Sequence, residues 1–296
     1  MASPKSTAAH VVRGVAVRGV GPLGDAELAS FRYRESLGAP FEGVLELRSD
    51  TFDADLGSLL GKPITVTVPL PEGGQRHFSG LCLEAEQTGT LGDLATYRAV
   101  IVPWIRLLEF GSDCRIFQEK SAKDIVTEVC DALAFSDYRT SGIIGDLPKL
   151  PFCVQYDESH ANFVHRLIER FGVWYGTEHR DGSHTVVFAD SNSSAKPFPG
   201  SEKIRYAVSD ADAADVEHVY RWRSIRRMET GKVSLKDYTY TDPKSKLETQ
   251  DTAPHSYPHG DIEWFEYPGL YTKQSDGTTV ARIRMGERAC REQVFA

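Results

Sequence analysis

No apolar run in this 296-residue chain approaches the ~20 residues of a membrane-spanning helix, so stable membrane insertion is not expected. The opening residues, MASPKSTAAHVVRG, lack the apolar segment a secretory signal needs. That reading places folding in the cytoplasm, with any export by a route that reads no N-terminal signal. Positive charge is in deficit: 34 Lys and Arg face 42 Asp and Glu, a net charge of −8. Without a basic face to neutralise phosphates, no nucleic-acid partner is expected. Cysteine is sparse and odd in number: Cys82, Cys114, Cys130, Cys153 and Cys290, with no C-x-x-C spacing. A disulfide framework is thereby disfavoured, and free, mostly buried thiols in a reducing compartment are expected.

Catalytic signatures are missing as well. There is no G-x-S-x-G, and the Ser79-Gly80 pair lies inside a strand pattern. There is no H-E-x-x-H; His160 and His165 are five apart and diverge on a helix, and His255 and His259 sit in a Pro-containing loop. Gly19–Gly24, GVGPLG, fits a dinucleotide fingerprint only formally, because strand and turn residues follow it where a helix is required. Asp157 and Glu158 precede a helix start, where acidic side chains suit the helix dipole without any catalysis. Trp104, Tyr156, Trp174 and Tyr175 read as core and inter-domain anchors. The four arginines of RWRSIRRM, Arg221, Arg223, Arg226 and Arg227, read as a solvated strand face. No catalytic, cofactor-binding or metal-binding residues are assigned, and no cofactor is expected.

What the chain does have is strand pattern and two well-marked helices. VVRGVAVRGV, FEGVLELR, PITVTVPL, RHFSGLCLEAEQ and ATYRAVIV are β-branched and partly alternating, with turns at Pro71–Gly74 and Gly89–Asp93. Asp53–Leu60 is expected to form a short helix. One helix opens on Ser121 and Asp124 and carries Ile125, Val126, Val129, Cys130 and Leu133; the other opens on Ser159, carries Phe163, Val164, Leu167, Ile168 and Phe171, and stops at Gly172. Arg180–Ser183 is a hairpin turn, and Asp190–Gly200 a linker or surface loop. VEHVYRWRSIRRM and KVSLKDYTYTD read as two long strands joined through Glu229–Gly231. Lys244–Gly260 reads as an exposed excursion, and Thr279–Phe295 as an amphipathic helix. The fold class is mainly β with a few helices (α+β), built of barrel-type antiparallel domains. The expected divisions are 1–104 for a first β-barrel-like domain, 105–200 for a second carrying the two helices, and 201–296 for returning strands and the last helix.

CRIFQEKSAKDIV followed by CVQYDESHANFVHRLIERFGVWY resembles the N-terminal hub region of VgrG proteins, the spike proteins of type VI secretion systems, whose relatives are baseplate hubs of contractile phage tails. RESLGAPFEGVLEL, LLGKPITVTVPLPEGGQRHFSGLCLEAEQ, YRAVIVPWIRLLEF, LKDYTYTDP and WFEYPGLY match in order. The resemblance implies a structural protein and not an enzyme. It implies a homotrimer whose β domains form a pseudo-sixfold ring that caps the Hcp tube and is driven out by sheath contraction. Effectors or adaptor proteins are further partners implied by it. The family pattern continues into an OB-fold and a β-helical needle, both expected to be absent from this chain. The alternatives are a hub of a contractile phage or prophage tail, and a β-rich cell-wall hydrolase.

Overall fold

A computed structural model describes residues 14–70, 73–195, 203–207 and 218–295. The chain first lays down β1 (Ala16–Arg18), β2 (Glu27–Ser36), β3 (Ala39–Ser49), β4 (Pro63–Pro69), β5 (Gln75–Leu91) and β6 (Leu94–Val102). These form one curled six-stranded sheet in the order β1-β4-β5-β6-β3-β2, antiparallel throughout. Alternation along β3 explains the curl's inside: Phe41, Leu45 and Leu47 are buried, with Glu42, Glu46 and Arg48 exposed between them. Ile64, Val66, Tyr97, Ala99 and Ile101 complete that first core. The barrel-type, mainly antiparallel architecture expected from the strand patterns is the one observed. The 53–60 segment is tighter than expected, with only a 3-10 turn over Leu56–Leu59. GVGPLG is a turn, not a nucleotide loop. A Cβ on Gly19 would lie 2.2 Å from the Pro63 carbonyl oxygen, and Gly21–Leu23 is a 3-10 turn that buries Leu23.

The chain then builds β7 (Ser112–Lys120), α1 (Ala122–Ala132), β8 (Tyr138–Gly142), β9 (Leu150–Ser159), α2 (His160–Arg170), β10 (Trp174–Arg180) and β11 (Ser183–Ala189). Both helix starts follow the expected chemistry. Ser121 and Asp124 make a reciprocal capping box, and Ser159 Oγ accepts from the Asn162 amide at 3.1 Å. The hydrogen bonds from Ser121 hold the Asp124 carboxyl below the usual carboxylate range. Phe171 caps α2, and Gly172 takes a left-handed φ of 66° just beyond it. The buried face of α2, Phe163, Val164, Leu167 and Ile168, packs with Ile125, Val126, Val129 and Cys130 of α1. Full burial contributes roughly 1.5–3 kcal/mol for each large apolar side chain, so this seam is a principal source of stability.

Beyond it lie β12 (Arg205–Tyr206), β13 (His218–Val219), β14 (Ser224–Arg226), β15 (Lys232–Asp237), β16 (Leu247–Thr252), β17 (Glu263–Glu266), α3 (Gln274–Glu292) and β18 (Gln293–Phe295). Here the pattern reading needs correction. VEHVYRWRSIRRM is not one long strand: its described part splits into β13, parallel to β12, and β14, antiparallel to β18. Ile225 is the one apolar side chain on β14, too little to carry an extended ladder. The partner of β15 is β16, inside the stretch read as an exposed excursion. LETQDT is polar, but it buries Leu247 and Thr249. The last helix begins at Gln274 and yields to β18 at Gln293. Residues 196–200 of the expected linker, residues 11–13 of the first strand pattern, and Pro71 and Glu72 of the expected turn lie outside the described residues. Val233, Leu235, Leu247, Tyr271, Val280, Ala281 and Met285 share one core with the α1–α2 seam.

Candidate assembly interface

Several of the candidates for chemistry find structural partners. His160 opens α2, and its Nδ1 accepts from Arg115 Nη2 (3.1 Å) and Gln155 Nε2 (3.2 Å). Burial, then the Arg115 charge, pushes this imidazole below its ordinary value. His165 Nε2 lies 3.0 Å from the Tyr175 hydroxyl and its ring stacks on Tyr175, with burial again lowering its pKa. Glu158 is clamped by Arg166, whose Nε sits 3.0 Å from each carboxylate oxygen; those hydrogen bonds hold Glu158 below the usual range. Asp157 is exposed and its amide donates to Cys114 Sγ at 3.3 Å. His255 stacks on Tyr257, and His259 occupies a left-handed turn at φ 63°. Among the described residues, no three His, Cys, Asp or Glu side chains gather to hold a metal ion. The five cysteines are unpaired, Cys82, Cys130 and Cys153 buried and Cys114 and Cys290 exposed.

The aromatic anchors divide. Trp104 is buried, stacks on Phe135 at 4.7 Å and donates from Nε1 to the Asp137 carbonyl at 3.0 Å. Tyr175 is buried too and Trp174 half-buried. Tyr156 departs from the expectation: it is 78% exposed, because it lies on the outer face of β9.

That outer face is the chain's most conspicuous surface. β7 and β9 pair with each other, setting Ile116 opposite Val154 and Phe117 opposite Cys153. Side chains alternate, so Phe117, Cys153 and Gln155 point into the core, where Phe117 stacks on Phe163 at 5.4 Å. Cys114, Ile116, Phe152, Val154 and Tyr156 then share the opposite face. Ile116 and Phe152 are each 69% exposed. A two-stranded ribbon with apolar residues on both faces reads as a sheet that awaits cover on its outer side. The sequence carried a signal for it, since Ile116-Phe117 and Phe152-Cys153-Val154 break the apolar–polar alternation of a half-buried strand.

A second such surface lies on β17. This strand runs parallel to β15 at the edge of the β16-β15-β17 sheet. Phe265 is 58% exposed, Ile262 and Tyr267 are exposed beside the strand in sequence, and Tyr238 is exposed just past the end of β15. Trp264 is held in place instead: the Arg288 guanidinium lies 3.9 Å from its ring centroid, and its Nε1 donates to Glu266 at 2.9 Å. Aromatic residues and arginine on an uncovered strand edge are the composition of a protein–protein contact. Geometrically, these faces offer contact area.

Comparison with known proteins follows the same line. The family described as phage tail baseplate hub (GPD) matches residues 34–296. A type VI secretion system spike protein of Pseudomonas aeruginosa, VgrG1b, is 34% identical over 271 residues, covering 91% of this chain and 36% of that protein. The chain thus spans about a third of the length of such relatives. Among solved structures, the tail protein of Neisseria meningitidis MC58 superposes with a TM-score of 0.60 at 11% identity, over 95% of this chain and 78% of that one. An Escherichia coli type VI secretion component, described as structurally similar to the T4 bacteriophage tail proteins gp27 and gp5, gives 0.59 at 19% identity, over 72% and 56%. These likenesses establish a tail-hub fold.

Proposed function

The chain belongs to the phage tail baseplate hub (GPD) family, and from that premise we propose that it is the hub portion of a type VI secretion spike. Its work is mechanical. Three copies close into a ring, the ring caps a tube of Hcp, and sheath contraction drives the assembly outward. The observation that carries this reading is the pair of uncovered apolar strand faces, at Ile116 and Phe152 on β7–β9 and at Phe265 on β17, in a chain whose His160 and Glu158 are already engaged structurally. A closed ring of identical subunits covers such faces and leaves no growing edge.

In this reading the chain is not an enzyme, takes no cofactor, and offers its rim to effector or adaptor proteins. It assembles in the cytoplasm and leaves through the secretion machinery. No helix among the described residues is long and apolar enough to cross a membrane. A unit boundary near residue 104 and a further division near 200 remain the proposed organisation, with the two later parts sharing the helical core. The second reading, the hub of a contractile phage or prophage tail, draws on the family itself and keeps the same mechanics.

Pull-down with purified Hcp rings tests the reading. The chain is expected to retain the rings on the resin and to leave peptidoglycan intact in a parallel assay. Hydrolysis of peptidoglycan without ring capture would move the chain to the hydrolase class.

A further inference from the structure

The β10–β11 hairpin belongs to the helical core through Tyr175, Val186 and Phe188, yet its far end grips the first sheet. At the tip, the Gly182 amide donates to Thr65 Oγ1 at 3.2 Å, and Asp181 pairs with Arg18 at 2.8 Å. At the base, the Gly38 amide donates to the Tyr175 carbonyl at 2.8 Å. Between these points His179 and His184 face each other in register. Their rings lie 4.9 and 5.9 Å from Phe41, and Tyr33 and Phe78 enclose His179 further. Two imidazoles therefore sit at the joint between the two cores.

Their bonds differ in what they permit. His179 Nε2 lies 2.9 Å from the Tyr33 hydroxyl, and its Nδ1 sits between the Ser79 amide, which donates to it at 3.1 Å, and the Ser79 carbonyl at 3.0 Å, so a cation here would give up the Ser79 N–H but still find two acceptors. His184 has no such latitude. Its Nε2 accepts from the Trp104 backbone N–H at 2.9 Å, and a backbone amide can only donate. A proton on Nε2 would set two donors against each other in a buried site and break the bond that holds the crossing point between the cores. We propose that this hairpin is an acid-sensitive latch between the first sheet and the helical core, with His184 as its trigger.

The surrounding charges leave that assignment intact. On β2 stand Tyr33 and Glu35, with Glu35 reaching the Tyr33 hydroxyl; β5 brings Arg76 and His77, the latter bonded to Thr67. On β10, Glu178 pairs with Arg139 of β8, and Asp181 pairs with Arg18 of β1. Burial pushes His179 down to about 4, against a raising hydrogen bond from Ser79 and with lowering by His184 and Arg76. Burial alone pushes His184 down to about 4. The sign follows: a docked imidazole resists protonation and a released one titrates near its ordinary 6.5. The latch is at full strength above that value and weakens as pH falls toward 4.

Hydrogen exchange on the native chain, corrected for intrinsic rates, tests it. Protection of the Trp104, Gly38 and Gly182 amides should fall on the order of 10- to 100-fold between roughly pH 7 and 4.5, the range given by linkage for one such group. The amides of Val164 and Leu167 in α2 should keep theirs. His184→Gln, an uncharged acceptor, should remove most of that dependence. Uniform loss at both places, or pH-independent protection at the joint, would overturn the latch. Should the variant fail to fold, the imidazole titration of the unsubstituted chain decides. Titration of His184 near 6.5 with the joint amides still protected also overturns it.

Discussion

Phe163→Ala is expected to lower stability by about 3–5 kcal/mol, the largest loss for any single truncation in the α2 seam. Phe163 is fully buried, stacks on Phe117 and lies in the core cluster shared by both helices. Removing the ring deletes its transfer free energy and leaves a void that α1 and β7 cannot fill without moving. Leu167→Ala, on the same face, should cost about 2–5 kcal/mol for the same reason. Arg166→Ala is the control. Arg166 clamps Glu158 and lies over the Phe163 ring at 5.1 Å, but its side chain is half exposed, so solvent screens the pair and about 1 kcal/mol or less is expected. Urea melts of the three variants check the ordering; equal losses for Phe163→Ala and Arg166→Ala would mean that α2 presents a different face to the core.

Ile116→Asp combined with Phe152→Asp is expected to abolish self-association while leaving the monomer folded. Both side chains are mostly exposed on the outer face of β7–β9, so the isolated subunit loses little by their replacement. In an assembled ring, each would bury a carboxylate where an apolar contact had been. Loss of a central aromatic anchor alone costs at least about 2 kcal/mol of binding, and two buried carboxylates should weaken association by more than about 100-fold. Sedimentation velocity beside a urea melt separates the effects. Unchanged association would remove this ribbon from the interface, and a collapsed melt would show that the ribbon's outer face supports the subunit itself.

How far the sequence reveals this protein depends on which side chains speak locally. Ser121, Asp124 and Ser159 announce their helices because a cap must satisfy exposed amides within three residues. β3 to β6 are legible from alternation, since each keeps one face in the core. β16 is not legible, because LETQDT draws its strand character from β15 and its burial from α3, both distant in sequence. β18 is hidden for the same reason: Gln293–Phe295 continues the helix pattern and turns extended only because β14 is there to pair with it. Tyr156 reads as an anchor from its place at a strand–helix junction, while strand parity sends it outward. His179 and His184 gave no motif. Their meaning arises from a hairpin register and from an amide, that of Trp104, 80 positions away.

The claim at the centre is that this chain works by assembling, and sedimentation equilibrium of the purified chain tests it most directly. The account predicts a closed species of three times the 32.9 kDa subunit mass, reached without larger oligomers, because a ring leaves no free strand face to extend. A single 32.9 kDa species at every concentration, well above the micromolar range of ordinary specific interfaces, would contradict it.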